Sequence, residues 1–166
     1  MKKIPVGHCK FALVDDEDYE KISNYSWRLK KTTNTWYAQR NSYPPLVKKC
    51  TTIHMHREIL GLNGGKTVDH INGNGLDNRR TNLRICSQAD NTLNRATQKN
   101  NRSGFKGVCF RGGKLRPWGA KIVHKDISYW LGTFATAKDA AHAYDKAAIK
   151  IHGEFARLNF PDRTQQ

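Results

Sequence analysis

The sequence predicts an α+β protein built as two small modules, and three observations predict it. Short β-rich runs separated by polar turns occupy the N-terminal third and recur after Gly104; one long amphipathic helical stripe lies near the C-terminal end; and "ATQKNNRSG", Ala96–Gly104, lacks apolar periodicity between them. A chain of 166 residues has room for one ordinary domain or two small ones.

The elements follow in chain order. "KFALV" reads as a strand, the acidic "DDEDYEKI" as a helical turn, and "SWRL", "TWYAQR" and "TTIHMH" as strands of a small antiparallel sheet. Two residues apart on that last strand, His54 and His56 would share one face. "REILGL" then predicts a short helix stopped by Asn63-Gly64-Gly65. "TVDHIN" predicts a strand, "GNG" a tight hairpin or loop, and "NLRICS" a returning strand, after which Ser87 opens a helix with Asp90 in a capping-box position. Beyond the linker, "FKGVCFR", "WGAKIVH" and "SYWLGTF" form a three-stranded meander. Thr136 caps a helix with Asp139 at its third position. Ala137, Ala141, Tyr144, Ala148 and Ile151 make the buried stripe, and Gly153 ends it. A stripe so rich in alanine lets the helix lie close on one face of the meander. The opposite face is then a binding surface.

Charge narrows the partner. Lys plus Arg number 29 against 14 Asp plus Glu, a net +15 that points to a polyanion, with nucleic acid first. Residues 1–97 hold 16 basic and 9 acidic side chains, and residues 98–166 hold 13 and 5. The excess is spread over the whole chain rather than gathered in a tail. No apolar run approaches the roughly 20 residues that span a bilayer, and Met1–Lys10 shows no signal-peptide pattern. Cys9, Cys50, Cys86 and Cys109 have no Cys-x-x-Cys spacing and read as reduced bystander thiols.

The stretch "VDHINGNGLDNRRTNLRICSQADN" carries the chemistry. Cleaving a phosphodiester calls for a base to activate water and a cation to neutralise charge on the phosphate and leaving oxygen. Adjacent residues on a strand point to opposite faces, so Asp69 and His70 can divide those tasks. Asn91, early in the helix after Ser87, offers a second oxygen donor; an Asp and Asn pair favours magnesium or manganese over zinc. Arg79, Arg80 and Arg84 beside the loop are candidates for phosphate contacts.

At these residues the chain resembles the HNH endonucleases, a beta-beta-alpha-metal family, and particularly their phage and intron-encoded homing branch. "FALVDDEDYEKISNYSWRLKKTTNTWYAQR" is also similar to the leader of such proteins, so the resemblance covers residues 4–95. It implies Asp69 as first metal ligand, His70 as general base, Asn82 as the asparagine that braces the loop, and Asn91 as second metal ligand. Asn82 and Asn91 lie 13 and 22 residues after Asp69. Where the family's name places a final histidine, this chain has Asn91.

"SGFKGVCFRGGKLRPWGAKIVHKDISYWLGTFATAKDAAHAYDKAAIKIHGEFARLNFP" closely resembles the plant Apetala-two/ethylene-response-factor DNA-binding domain over residues 103–161. That family lays a three-stranded sheet in the major groove. The resemblance implies Lys106, Arg111, Trp118, Lys121 and Trp130 as DNA contacts, whereas Cys109 and Val123 stand where the plant pattern has arginines.

The expectation is therefore a nuclease module at 1–95, a linker at 96–102 and a DNA-binding module at 103–161. The whole would be a metal-dependent DNA endonuclease using Mg2+ or Mn2+ on double-stranded DNA, leaving a 5′-phosphate and a 3′-hydroxyl. It would work in the cytoplasm of a bacterial or phage-infected cell, without membrane or obligate protein partner. The rival is a non-catalytic DNA-binding regulator on the same scaffold. A ribosomal or other RNA-binding protein would explain the charge but not the Asp69/His70/Asn82/Asn91 set.

Overall fold

The computed structural model describes residues 1–7, 9–43, 50–94, 97 and 101–161. Of the expected linker, residues 96 and 98–100 lie outside the described residues. The chain divides into two compact units, Met1–Ser87 and Gln88–Gln166, and its secondary structure is that of an α+β protein with small antiparallel sheets and few helices.

The first unit opens with a hairpin of β1 (Lys2–Gly7) and β2 (Lys10–Val14). Alternation turns Ile4, Val6, Ala12 and Val14 inward, all buried. The sequence reading missed β1, because Pro5 disguises the pattern. Pro5 sits on a strand paired along one side only, where a missing N–H is tolerated. Helix α1 (Asp16–Ser23) follows, with Asp16, Glu17 and Asp18 in its first turn, where negative charge suits the exposed N–H groups. Its Ile22 joins the core, and the Trp27 indole N–H donates to the Ile22 carbonyl at 2.8 Å.

Strands β3 (Arg28–Lys31), β4 (Trp36–Ser42) and β5 (Thr51–His54) form an antiparallel sheet in that order. The third strand was expected to continue through His56. It stops at His54, and helix α2 (Met55–Ile59) takes over, because Met55 and Ile59, four apart, are both buried in the core. The helix stops earlier than Asn63: Gly61, at φ 63°, takes the left-handed position after Leu60.

Strands β6 (Thr67–His70) and β7 (Leu83–Cys86) pair antiparallel, with Asp69 opposite Arg84 and His70 opposite Leu83. Their connection is not a tight hairpin. Residues 71–82 make a long loop ending in a 3-10 turn, Arg80–Asn82. Strand β2 anchors it: the Leu13 N–H donates to the Leu76 carbonyl and the Asn78 N–H to the Leu13 carbonyl, both at 2.8 Å.

The second unit begins with α3 (Gln88–Leu93) and continues with β8 (Val108–Phe110), β9 (Trp118–His124), β10 (Ile127–Phe134) and α4 (Ala137–His152). The sheet order is β10-β9-β8, as a meander requires. Lys125 and Asp126, both at positive φ, close the β9–β10 hairpin in two residues. Thr136 caps α4 by accepting from the Asp139 N–H at 3.1 Å, and Ala141, Tyr144 and Ala148 are buried against the sheet. The motif fragments of this unit turn out to be one hydrogen-bonded unit. The Asp145 carboxylate accepts from the backbone N–H groups of Asn159 and Phe160, at 2.8 and 2.9 Å. The Asn159 side chain in turn accepts from the Lys106 N–H at 2.6 Å and donates to the Lys106 carbonyl at 3.1 Å. "FKGV", "AYDKAA" and "LNF" are thereby tied together.

The four cysteines are free thiols. No helix among the described residues is long and apolar enough to cross a membrane.

Candidate active site and nucleic-acid interface

The end of β6 buries two polar side chains in succession, Asp69 at 6% and His70 at 4% exposure. Such burial needs partners. His70 finds one in Asn78, itself wholly buried, whose Oδ1 lies 3.2 Å from the imidazole Nε2. An amide oxygen can only accept, so Nε2 carries the proton and the lone pair of the neutral ring is on Nδ1. Burial pushes the His70 pKa below its ordinary value, opposed by the Asn78 hydrogen bond and by the Asp69 and Asp77 carboxylates. At neutral pH the ring is uncharged.

Around it stands an aromatic wall. The Tyr37 ring lies 5.6 Å and the His56 ring 5.0 Å from that of His70, while His54 and His56 stack at 5.3 Å. The two histidines thus meet not as strand neighbours but across the β5–α2 junction. Burial holds His56 down to about 3 and lowers His54 as well, so the cluster is neutral at pH 7.

Asn82 braces the loop. Its Oδ1 accepts from the Asn72 N–H at 3.0 Å, and its Nδ2 donates to the Asn72 Oδ1 at 3.1 Å and the Asp77 carbonyl at 2.7 Å. Asn72 also reaches Asp77, donating to its Oδ2 at 2.9 Å. The loop tip is fixed outside as well, the Gly75 N–H donating to Thr35 Oγ1 at 2.9 Å.

The three arginines beside the loop are each engaged by carboxylates. Arg84 donates to Asp69 Oδ2 through Nε and Nη2, at 2.9 and 2.6 Å. Arg79 grips Asp77 at 2.7 and 2.6 Å and holds its carboxyl below the usual range. Arg80 donates to both oxygens of Asp18 at 2.8 and 2.7 Å and pairs with Glu17. Arg84 is nearly enclosed, with 12% of its side chain exposed, whereas Arg79 and Arg80 keep 38% and 46%. The first unit therefore brings Asp69, His70 and Asn82 together. Asn91 stands on α3, in the second unit.

In that second unit, Ala120 and Ile122 of β9 face α4, so Gly119, Lys121 and Val123 face the other way. Trp130 pairs with Lys121 across the hairpin and lies over Gly119, where a Cβ would come within 2.4 Å of its ring. The Arg111 guanidinium sits 4.9 Å from the same ring. Arg111, Lys121 and Trp130 thus share the face opposite α4. Trp118 packs into the cluster of Val108, Ala120, Ala140 and Ala141, with Phe110 edge-on at 5.2 Å. Lys106 turns its ammonium to the Leu93 carbonyl, and burial brings its pKa down to about 8. Its backbone is clamped by Asn159, as described above.

Sequence reasoning left Asn78, Asn72, Asp77 and Tyr37 without a role. The signal for Asn78 was its place in "LDNRR": a residue with no charge and no apolar surface, yet inside a motif whose neighbours are assigned.

Residues 54–93 match the family of HNH endonucleases. Along 92% of its length the chain is 28% identical to an uncharacterized HNH endonuclease of Acanthamoeba polyphaga mimivirus, covering 76% of that protein. It is also 44% identical over 69 residues to ethylene-responsive transcription factor 3 of Nicotiana tabacum, a match covering 39% of this chain. A dehydration-responsive element-binding protein of Arabidopsis thaliana is 45% identical over 69 residues, covering 33% of this chain. The chain spans only 31% and 28% of those two plant proteins. No solved structure gives a significant match.

Proposed function

We propose that the chain is a metal-dependent DNA endonuclease of the HNH homing type, with a beta-beta-alpha-metal nuclease module at 1–95, a linker at 96–102 and a sheet-based DNA-binding module at 103–161. The observation that carries the reading is His70: neutral, buried, pinned through Nε2 by Asn78 and set beside Asp69 at the end of β6, where the loop that Asn82 braces begins. The match of residues 54–93 to the HNH family supports it, as do the mimivirus relative and the plant DNA-binding relatives.

His70 Nδ1 takes the proton from a water in line with the scissile phosphorus, and the products are a 5′-phosphate and a 3′-hydroxyl. The Asn78 contact keeps the ring from turning away during the transfer. Tyr37 and His56 pack directly against the imidazole and help hold the ring in place.

Asp69 and Asn91 would hold the Mg2+ or Mn2+. Their oxygens suit a hard cation, and Asp69 already holds one positive group, the Arg84 guanidinium. Among the described residues no three His, Cys, Asp or Glu gather as a metal-binding group, so water and DNA phosphates would complete the coordination. When bound, the ion neutralises charge on the phosphate and the departing 3′ oxygen. Arg111, Lys121 and Trp130 would meet duplex DNA on the face of the second sheet opposite α4, and the enzyme would act in the cytoplasm.

The Arg84–Asp69 pair is also what favours the rival, a DNA-binding regulator whose site carries its own cation. Incubating the full chain with supercoiled plasmid, with magnesium and then with a chelator, separates the two. Cleavage that needs magnesium supports the enzyme, and binding without cleavage supports the regulator. His70→Ala should then lower the rate by roughly 10²–10⁴-fold while DNA affinity holds.

A further inference from the structure

The first unit holds 15 Lys plus Arg in residues 1–87 against 8 Asp plus Glu. Five of the eight carboxylates pair with arginine: Glu58 with Arg40, Asp77 with Arg79, Asp18 and Glu17 with Arg80, Asp69 with Arg84. Arg28 and Arg57 bond to an amide oxygen and to carbonyls instead, so the surplus positive charge is carried mostly by the unit's nine lysines. Two of them converge on one ring. Lys10 at the start of β2 and Lys31 at the end of β3 place their ammonium groups 5.6 and 5.5 Å from the centre of the Trp36 indole. Lys31 is the register partner of Trp36, and neither lysine has a carboxylate partner among the described residues. Beside Lys10, Phe11 is 50% exposed.

Two like charges about one indole repel each other, and the ring's negative face offsets this only in part. An anion bound at these ammonium groups offsets the repulsion. The patch is also fixed to the cutting loop. Gly75 donates to Thr35, and a Cβ on Gly75 would fall 2.4 Å from the Trp36 carbonyl oxygen and 2.7 Å from the Tyr37 ring, which itself touches His70. A phosphate held at Lys10 and Lys31 is thereby held in a set relation to that loop.

We propose that Lys10, Lys31 and Trp36 form a phosphate clamp for duplex DNA within the first unit, separate from the sheet of the second. The two ammonium groups take backbone phosphates of the strand that runs past the loop, and the indole packs against the sugar edge. The proposal rests on the reading of DNA as substrate. It adds a contact surface that the motif leaves out, on residues other than Arg79, Arg80 and Arg84.

The test is equilibrium binding of the full chain to duplex DNA over a range of salt, without divalent cation so that nothing is cut. Each lost phosphate contact lowers the slope of log affinity against log salt by about 0.9, so Lys10→Gln with Lys31→Gln should flatten it by about 2. Lys138→Gln with Lys150→Gln makes the same charge change on exposed positions of α4 and should leave the slope in place. An unchanged slope in the first pair overturns the clamp. Should that pair melt early, the single variants, each expected to lose about 0.9, decide the matter. An equal flattening in both pairs would mean general charge rather than a clamp. A loss seen on single-stranded DNA or RNA but not on duplex would assign the surface to another partner and sink the proposal. If the clamp variants behave as expected but the parent never cuts plasmid with magnesium, the nuclease reading fails and the clamp stands.

Discussion

Replacing Asn82 tests the loop more sharply than replacing His70, because the geometry sets two variants against each other. Asn82→Ala removes three hydrogen bonds from a side chain that is 6% exposed: one accepted from the Asn72 N–H and two donated, to Asn72 Oδ1 and the Asp77 carbonyl. At about 1 kcal/mol for each, the loss is about 3 kcal/mol, a large share of the 5–15 kcal/mol that holds a domain. Asn82→Asp is closer in shape and keeps the accepted bond, yet it sets carboxylate oxygen against two other oxygens. It should therefore destabilise at least as much as alanine. Urea denaturation of the full chain, followed by tryptophan emission, should show the first-unit transition moving down by on the order of 1–3 M in both variants. Because Asn78, which holds the His70 ring, stands on that loop, plasmid cleavage should fall with it. An aspartate variant as stable as the parent would refute the account, since the donated bonds would then count for nothing.

The Arg84–Asp69 pair supplies a second prediction. Arg84→Met strips the guanidinium from a carboxylate 7% exposed and should cost about 3–5 kcal/mol, and manganese should raise the melting temperature of the variant more than that of the parent. Equal shifts in both would remove Asp69 from the metal site. A third concerns pH. His56 falls from 6.5 to about 3 on folding, so the unfolded chain binds the extra proton below 6.5, and stability is full above that pH and lost as pH falls toward 3. His54 and His70, also lowered by burial, act in the same direction. His56→Phe should flatten the melting temperature between pH 6.5 and 4, and a profile as steep as the parent's would count against this origin. A fourth lies in the second unit. Gly107 holds φ 75° with a Cβ position 2.0 Å from the Tyr144 ring, so Gly107→Ala should lose about 1–3 kcal/mol or more by urea denaturation. An unaltered midpoint there would show that helix and sheet can part without strain.

What the sequence determined by itself was whatever depends on neighbours in the chain. Alternation placed β9 and β10, and the Thr136–Asp139 cap and the stripe through Ala141, Tyr144 and Ala148 placed α4, because strand and helix periods are written into consecutive residues. The same local logic put Asp69 and His70 on a strand, but it began the returning strand at Asn82, which the structure places in the 3-10 turn before Leu83. Local signals also misled: Pro5 hid β1, and a β-like run carried the expected strand through His56, until burial of Met55 and Ile59 turned it into a helix. Only the tertiary structure decided which group meets which. Arg80 finds Asp18, 62 positions earlier, and Lys106 finds Asn159, 53 positions later. His70 meets Asn78 only because the loop folds back along β2. A charge or an amide in a sequence states what it can bond to, but its partner is chosen by burial, which strips away water and leaves each polar group only the neighbours that the packed core brings within reach.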